Sequence, residues 1–212
     1  MTYPILSLQY LPPIAYFQLL LEYGGAYLDA QEHYQKGSYR NRCEIATASG
    51  SFRLSIPLQK GKNQQQPIRS TRIAYDQNWQ KQHWWTIRSA YSNAPYWEHY
   101  ADVIETFYVQ KTTFLWDYNE MILENCLKML KLQHKISLKT TTQYFIPFDD
   151  ILKIDDVTYL DFRNKVHPQI TPLSQERYQQ VFEEMVGFIP NLSILDLLLC
   201  CGGNYGRELL VV

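Results

Sequence analysis

Three features of the sequence predict an α/β fold: a strand–helix–strand opening, a β-hairpin inserted after it, and a helical C-terminal half. The segment Tyr3 to Leu8 is apolar and β-prone, and across Pro12-Pro13 it gives way to apolar residues at helical spacing. Beyond residue 40, Cys43 and Ile45, then Phe52, Leu54, Ile56 and Leu58, alternate with other residues. That is the period of strands half buried against a core. From Asn78 onward the period becomes that of amphipathic helices.

Each element has a local cause. Gln9-Tyr10-Leu11-Pro12-Pro13 ends the first strand, because tandem prolines cannot continue a hydrogen-bonded ladder. Pro13 suits the first helical position, and Ile14, Tyr16, Phe17, Leu20 and Leu21 carry a helix to Tyr23, where Gly24-Gly25 stops it. Ala26 to Asp29 is a second strand. It completes a β-α-β unit of the kind that opens three-layer α/β folds, whose ligands sit beyond the carboxyl ends of the strands. Arg42 to Thr47, a turn at Ser49-Gly50, and Phe52 to Leu58 form a hairpin. Gly61 to Pro67 is a polar loop, and Thr71 to Tyr75 is a candidate strand. Helices are expected over Asn78 to Tyr91, Pro95 to Tyr108 and Phe114 to Leu132. Residues 133 to 172 are irregular apart from a short strand at Ile136 to Leu138. Ser174 caps a helix running to Val186 and ended by Gly187, and Ser193 with Asp196 opens an apolar helix at Ile194. Neither a repeat nor a low-complexity linker divides the chain, so residues 1–212 are expected to form a single domain.

Composition narrows the classes of function. Twenty basic against 21 acidic side chains leave a formal net charge of −1, with no general field to hold a nucleic-acid backbone. Any anion site must be local. The opening MTYPILSLQYLPPIAYF lacks a basic n-region and a small-residue cleavage pattern, so no signal peptide is expected. The most apolar late segment, Ile194 to Cys201, falls far short of the roughly 20 residues of a membrane helix. Cys43, Cys126, Cys200 and Cys201 form no CxxC pair and no His-spaced ligand set, which predicts reduced thiols, a cytoplasmic protein and no metal site. There is no GxGxxG and no P-loop lysine to name a cofactor, and the oligomeric state stays open.

The stretch KGSYRNRC concentrates Lys36, Arg40 and Arg42. Were it extended, Lys36, Ser38, Arg40 and Arg42 would share one face and clamp a phosphate or carboxylate, arginine as a fork and lysine as a point charge. The same pattern also suits a solvated strand face with Arg42 paired to Glu44. Gln9 and Tyr10 lie on a proline-stiffened loop that would hold a side-chain amide beside a ligand, or simply pack Tyr10 on the core. His33, with Asp29, Glu32 and Lys36 nearby in sequence, is the candidate general base, though such a loop histidine can equally be only solvated. Asn191 stands where the amides of a late helix start could meet an anion, or where a capping residue would sit. Trp79, Trp84, Trp85, Tyr91, Tyr96, Trp97 and Tyr100 are more aromatics than one helix face buries, so some are expected to line the same cleft and stack on a sugar ring or base.

QYLPPIAYFQLL, KGSYRNRC with the following LSIPL, SAYSNAPYWEHY, and YQQVFEEMVGFIPNLSILDLL, in this order, resemble the WbqC-like protein family. The resemblance extends from about residue 5 to 203. It implies a place in the making of bacterial O-antigen and other surface polysaccharides, with glycine transfer suggested for one branch, and it brings no agreed catalytic residues. It also marks CCGGNYGRELLVV as short after the last motif, so a strand closing the site is expected to be abbreviated. Together these readings imply a transferase acting on an anionic or nucleotide-activated sugar precursor, with a non-catalytic ligand-binding or assembly protein of the same pathway as the competing class.

Overall fold

The computed structural model describes residues 2–59, 66–146, 151–154, 156–169 and 175–211. The chain opens as expected with β1 (Thr2–Leu6), α1 (Ile14–Glu22) and β2 (Gly25–Leu28). The hairpin follows as β3 (Arg42–Thr47) and β4 (Gly50–Ser55), and the helical stretch as α2 (Trp79–Tyr91), α3 (Trp97–Val109) and α4 (Leu115–Met129). Next come β5 (Ser137–Thr140), β6 (Ile151–Ile154) and β7 (Val157–Asp161), and finally α5 (Glu183–Val186) and α6 (Ile194–Leu209). The main sheet has the order β5-β2-β1-β7-β6. Its first four strands run parallel, and β6 pairs antiparallel with β7 at one edge.

β1 is interior, so alternate side chains are buried on opposite faces. Leu6 joins the large core shared with the helices, while Ile5 joins a small cluster with Phe145 and Tyr159 on the other face. The hairpin buries one face as its period requires: Cys43 pairs with Leu54 and both are buried. Its outer pair is weaker, and Phe52 opposite Ile45 is left half exposed. Gly25 is required by close approach, because a Cβ there would lie 2.1 Å from the Ser137 carbonyl oxygen on β5.

Four expectations of the sequence are not met in the structure. The segment 133–172 carries three strands. Ile151–Ile154 and Val157–Leu160 are β-branched and aromatic stretches flanking Asp155-Asp156, a short-range hairpin signal that the neighbouring prolines obscure. The helix expected up to Val186 is reduced to Glu183–Val186, with Ser174 outside the described residues. Residues 175–180 instead spend their polar groups on tertiary bonds. Gln180 both donates to the Ile189 carbonyl at 2.9 Å and accepts from the Ile189 amide at 2.8 Å, and Tyr178 donates to Asp196 at 2.6 Å. Thr71–Tyr75 makes only isolated bridges, at Arg72 and Ile73. At the far end no strand is found in the described part of CCGGNYGRELLVV. The segment continues α6 through a kink at Gly202, and Gly203 packs so tightly that a Cβ would lie 1.9 Å from the Met129 carbonyl.

Asn191 belongs to this framework. Its φ of 56° is left-handed, which asparagine tolerates better than most residues. Its Oδ1 accepts from the Ala15 amide at 3.0 Å, capping α1, whose own N-cap Pro13 makes no side-chain cap. Asn191→Ala should therefore lower the unfolding free energy by about 1–2 kcal/mol. Asn191→Gly should lose less, because it keeps the backbone conformation. Urea titration of the two variants checks the order, and equal losses would contradict it.

Candidate ligand site at the carboxyl edge of the sheet

The four parallel strands deliver polar residues to one edge. Ser7 follows β1, Asp29 follows β2, Thr141 follows β5, and β7 ends on Asp161 with Arg163 two residues beyond. All five are buried. Arg163 grips Asp161 with both Nε (2.9 Å to Oδ1) and Nη2, donates from Nη1 to Asp29 Oδ2 at 2.6 Å, and reaches the Phe145 carbonyl at 2.9 Å. Thr141 Oγ1 donates to Asp29 Oδ1 at 3.0 Å. Burial lowers the pKa of the Arg163 guanidinium, but the hydrogen bonds and charges of Asp161 and Asp29 outweigh it and raise the pKa above the ordinary arginine value.

A second buried pair adjoins the first. Arg40, 1% exposed, donates from Nε to Glu32 Oε1 at 2.8 Å and from Nη2 to Glu32 Oε2 and Ser7 Oγ, each at 2.5 Å. The Ser7 hydroxyl also lies 2.9 Å from Glu32 Oε2 and 3.3 Å from the Arg163 carbonyl, linking the pairs. Above this floor opens a cavity of about 430 Å³ lined by Glu32, His33, Gln35, Lys36, Tyr144, Arg163 and Asn164. His33, Gln35, Lys36, Tyr144 and Asn164 are exposed to it. The His33 ring meets Tyr144 edge-on, with centroids 6.4 Å apart. The two guanidiniums face three carboxylates below, and among the described residues of the rim Lys36 carries a positive charge with no carboxylate partner.

Of the residues the sequence put forward, His33 and Lys36 line this cavity together. Lys36 to Arg40 form turns rather than a strand, so the shared face of KGSYRNRC does not exist: Lys36 points outward, while Ser38 and Arg40 are buried. Gln9 is buried and donates to the Val166 carbonyl at 3.1 Å. Arg42 is half buried on β3, where burial and then the neighbouring Arg53 lower its pKa. Its field and that of Arg40 reach His167, whose pKa is lowered first by burial and then by both arginines. Asn191 caps α1 instead of lining the cavity.

Tyr10 does meet the aromatic set of residues 79–100, but inside the core. Its hydroxyl lies 3.0 Å from His83 Nδ1 and 2.7 Å from the Tyr108 hydroxyl, and the His83 ring also bonds the Ser55 backbone. The aromatics expected along the cleft go elsewhere. Trp79, Tyr91 and Tyr100 are buried, Trp84 stacks on Trp97 at 5.6 Å, and Trp85 faces a different groove. The cavity's ring is Tyr144. Arg163, Asp161, Thr141, Tyr144, Gln35 and Asn164 were not foreseen. The signal was present as DFRN directly after an apolar stretch, but without β7 there was no strand end on which to place it.

Burial pushes the His83 pKa down to about 4 from the ordinary 6.5, only partly offset by its bond to Ser55. The unfolded chain therefore takes up the proton first as pH falls, and stability present above about pH 6.5 is lost on the way to about pH 4. The loss should be on the order of 3 kcal/mol. Urea unfolding at pH 7 and pH 4.5 should show a fall in wild type that His83→Gln flattens; an undiminished fall in the variant would refute the assignment.

A parallel-rich α/β domain with a polar site across its strand ends is the class that these features define. The chain belongs to the WbqC-like protein family, the match spanning residues 8–158. The matched region holds Gln9, Tyr10, His33, Lys36, Arg40 and Arg42 and ends before Arg163 and Asn191. An uncharacterized protein of Mycobacterium tuberculosis (strain ATCC 25618 / H37Rv), Rv1507c, is 25% identical over 221 residues, covering 96% of this chain and 94% of its own. No solved structure matches the chain. Among the described residues no helix is long and apolar enough to cross a membrane.

Proposed function

We propose that this protein is a transferase of bacterial surface-polysaccharide biosynthesis that takes an anionic or nucleotide-activated sugar precursor into the strand-end cavity. The observation that carries the reading is the division of labour there: a floor of saturated ion pairs beneath a rim of exposed His33, Gln35, Lys36, Tyr144 and Asn164. Lys36 supplies a point charge to a phosphate, the Gln35 and Asn164 amides suit sugar hydroxyls, and Tyr144 offers a ring to the sugar face. His33 is the group placed to take a proton from an attacking hydroxyl or amine. The family's association with polysaccharide biosynthesis supports the context.

A non-catalytic ligand-binding protein is the second reading. It is favoured by the mutual pairing of Arg40, Arg163, Glu32, Asp29 and Asp161, which suits a rigid scaffold. Titration with nucleoside diphosphate sugars and sugar phosphates, followed by calorimetry, tests both. Lys36→Ala should weaken binding about tenfold, the loss of one charge-assisted contact, without a change in melting temperature. Group transfer abolished by His33→Gln with binding retained selects the transferase; binding without turnover selects the binder. No binding in wild type sinks both.

A further inference from the structure

Three stretches of chain run side by side just past the strand ends. The Ser7 hydroxyl reaches the Arg163 carbonyl at 3.3 Å, Gln9 Nε2 donates to the Val166 carbonyl at 3.1 Å, and the Tyr10 amide donates to the Tyr39 carbonyl at 2.9 Å. Residues 163–167 are thereby laid along residues 7–10, and these along residues 39–42. The arrangement brings His167 toward the start of β3, where the fields of Arg40 and Arg42 reach its ring.

Two sealed polar atoms here lack a partner. Gln9 is 2% exposed, and because its Nε2 is fixed on Val166, the atom left over is Oε1, which accepts from nothing. Arg42 Nε is likewise shut off from solvent and donates to nothing. Glu44, the acid nearest to it in sequence, is taken by Arg53 at 3.3 Å, and Ser55 stands opposite Arg42 in the hairpin. Buried donors and acceptors are nearly always satisfied in folded proteins, and a charged donor left without a partner is costly.

We infer that Arg42, His167 and Gln9 form a phosphate site of their own, outside the strand-end cavity that none of them lines. The chemistry selects the ligand. Arg42 offers Nε–H as one prong of a fork that suits two oxygens of an oxyanion. The Gln169 amide donates to His167 Nδ1 at 3.3 Å, which puts the proton of the neutral ring on Nε2 and makes that nitrogen a second donor. Gln9 Oε1 asks for the opposite, a donor on the ligand. An ionised carboxylate has none. A phosphate supplies one as its own P–OH or as a hydroxyl of the sugar that it esterifies. The inference does not depend on the transferase reading, since it uses no residue of the cavity lining.

Calorimetric titration of the full chain with inorganic phosphate, glucose 1-phosphate and acetate, at one ionic strength and about pH 6.5, tests it. At least one phosphate compound should bind with a Kd below about 5 mM, and acetate at least about tenfold more weakly. Arg42→Ala should weaken phosphate binding at least about tenfold with little change in melting temperature, and Arg42→Lys should recover only part, because it restores the charge without the fork. His167→Gln should also weaken it, and Lys36→Ala should leave it unaltered. The His167 ring signals in NMR spectra should shift on adding phosphate to wild type and stay in place in Arg42→Ala. Tighter binding of glucose 1-phosphate assigns the site to sugar phosphates and tighter binding of inorganic phosphate to the free ion; both uphold it. Failure of both phosphate compounds to bind, acetate binding as tightly as they do, or affinity indifferent to Arg42→Ala overturns it. Phosphate binding lost in Lys36→Ala and kept in Arg42→Ala would place the anion in the cavity, upholding that reading and removing this one.

Discussion

Arg163→Ala should lower the unfolding free energy by about 3–5 kcal/mol, among the largest losses expected of any single change in this protein. The reason is what remains behind. Asp29 and Asp161 are 0% and 6% exposed, and without the guanidinium each keeps its burial and loses its counter-charge. Arg163→Lys should recover only part of the loss, since an ammonium cannot bond Asp161 through two nitrogens and still reach Asp29. Combining Arg163→Ala with Asp161→Asn should cost less than the sum of the two changes, because the second removes a charge the first has stranded. Urea unfolding of the four chains measures the coupling. Simple additivity, or a loss under about 1 kcal/mol for Arg163→Ala, would mean that the trio is not the electrostatic unit its geometry describes.

The sequence was most legible where local signals and tertiary demands coincide. Tyr3 to Leu8, the Pro12-Pro13 break and the apolar spacing of Ile14 to Leu21 all act within a few residues, and β1, α1 and β2 appear where those signals place them. The hairpin and α2 to α4 follow for the same reason. Legibility ended where partners lie far apart in the chain. Glu32 reads as one of several acidic neighbours of His33, and nothing local says that Arg40 will fold back onto it from eight residues away. Asp29 and Arg163 are separated by 134 residues. Their meeting depends on β7 lying beside β1, a long-range pairing that no local pattern encodes. Tyr10 shows the reverse error: its stiff loop suggested display to a ligand, whereas the core offered a better partner in His83.

The two arginines of KGSYRNRC should separate sharply under mutation. Arg40 holds Glu32 through Nε and Nη2 and Ser7 through Nη2, while Nη1 lies 3.5 Å from Gln35 Oε1, and Asn119 secures its own carbonyl at 2.8 Å. Arg40→Ala should thus cost about 3–5 kcal/mol, because Glu32, 5% exposed, would stay buried and unpaired. Glu32→Gln in the same chain should return part of that loss by removing the stranded charge. Arg42 makes no ion pair in the described structure and is only half buried, so Arg42→Ala should cost about 1 kcal/mol or less. Binding should order the variants differently. Arg40 stands behind Glu32 rather than in the lining, so any fall in affinity for a nucleoside diphosphate sugar should track the loss of fold and be restored with it by Glu32→Gln. Paired melting and calorimetric measurements on the single and double variants decide the matter. An Arg40→Ala chain that keeps its melting temperature and loses its ligand would make Arg40 a direct anion clamp and would move the ligand inward, onto the ion-pair floor.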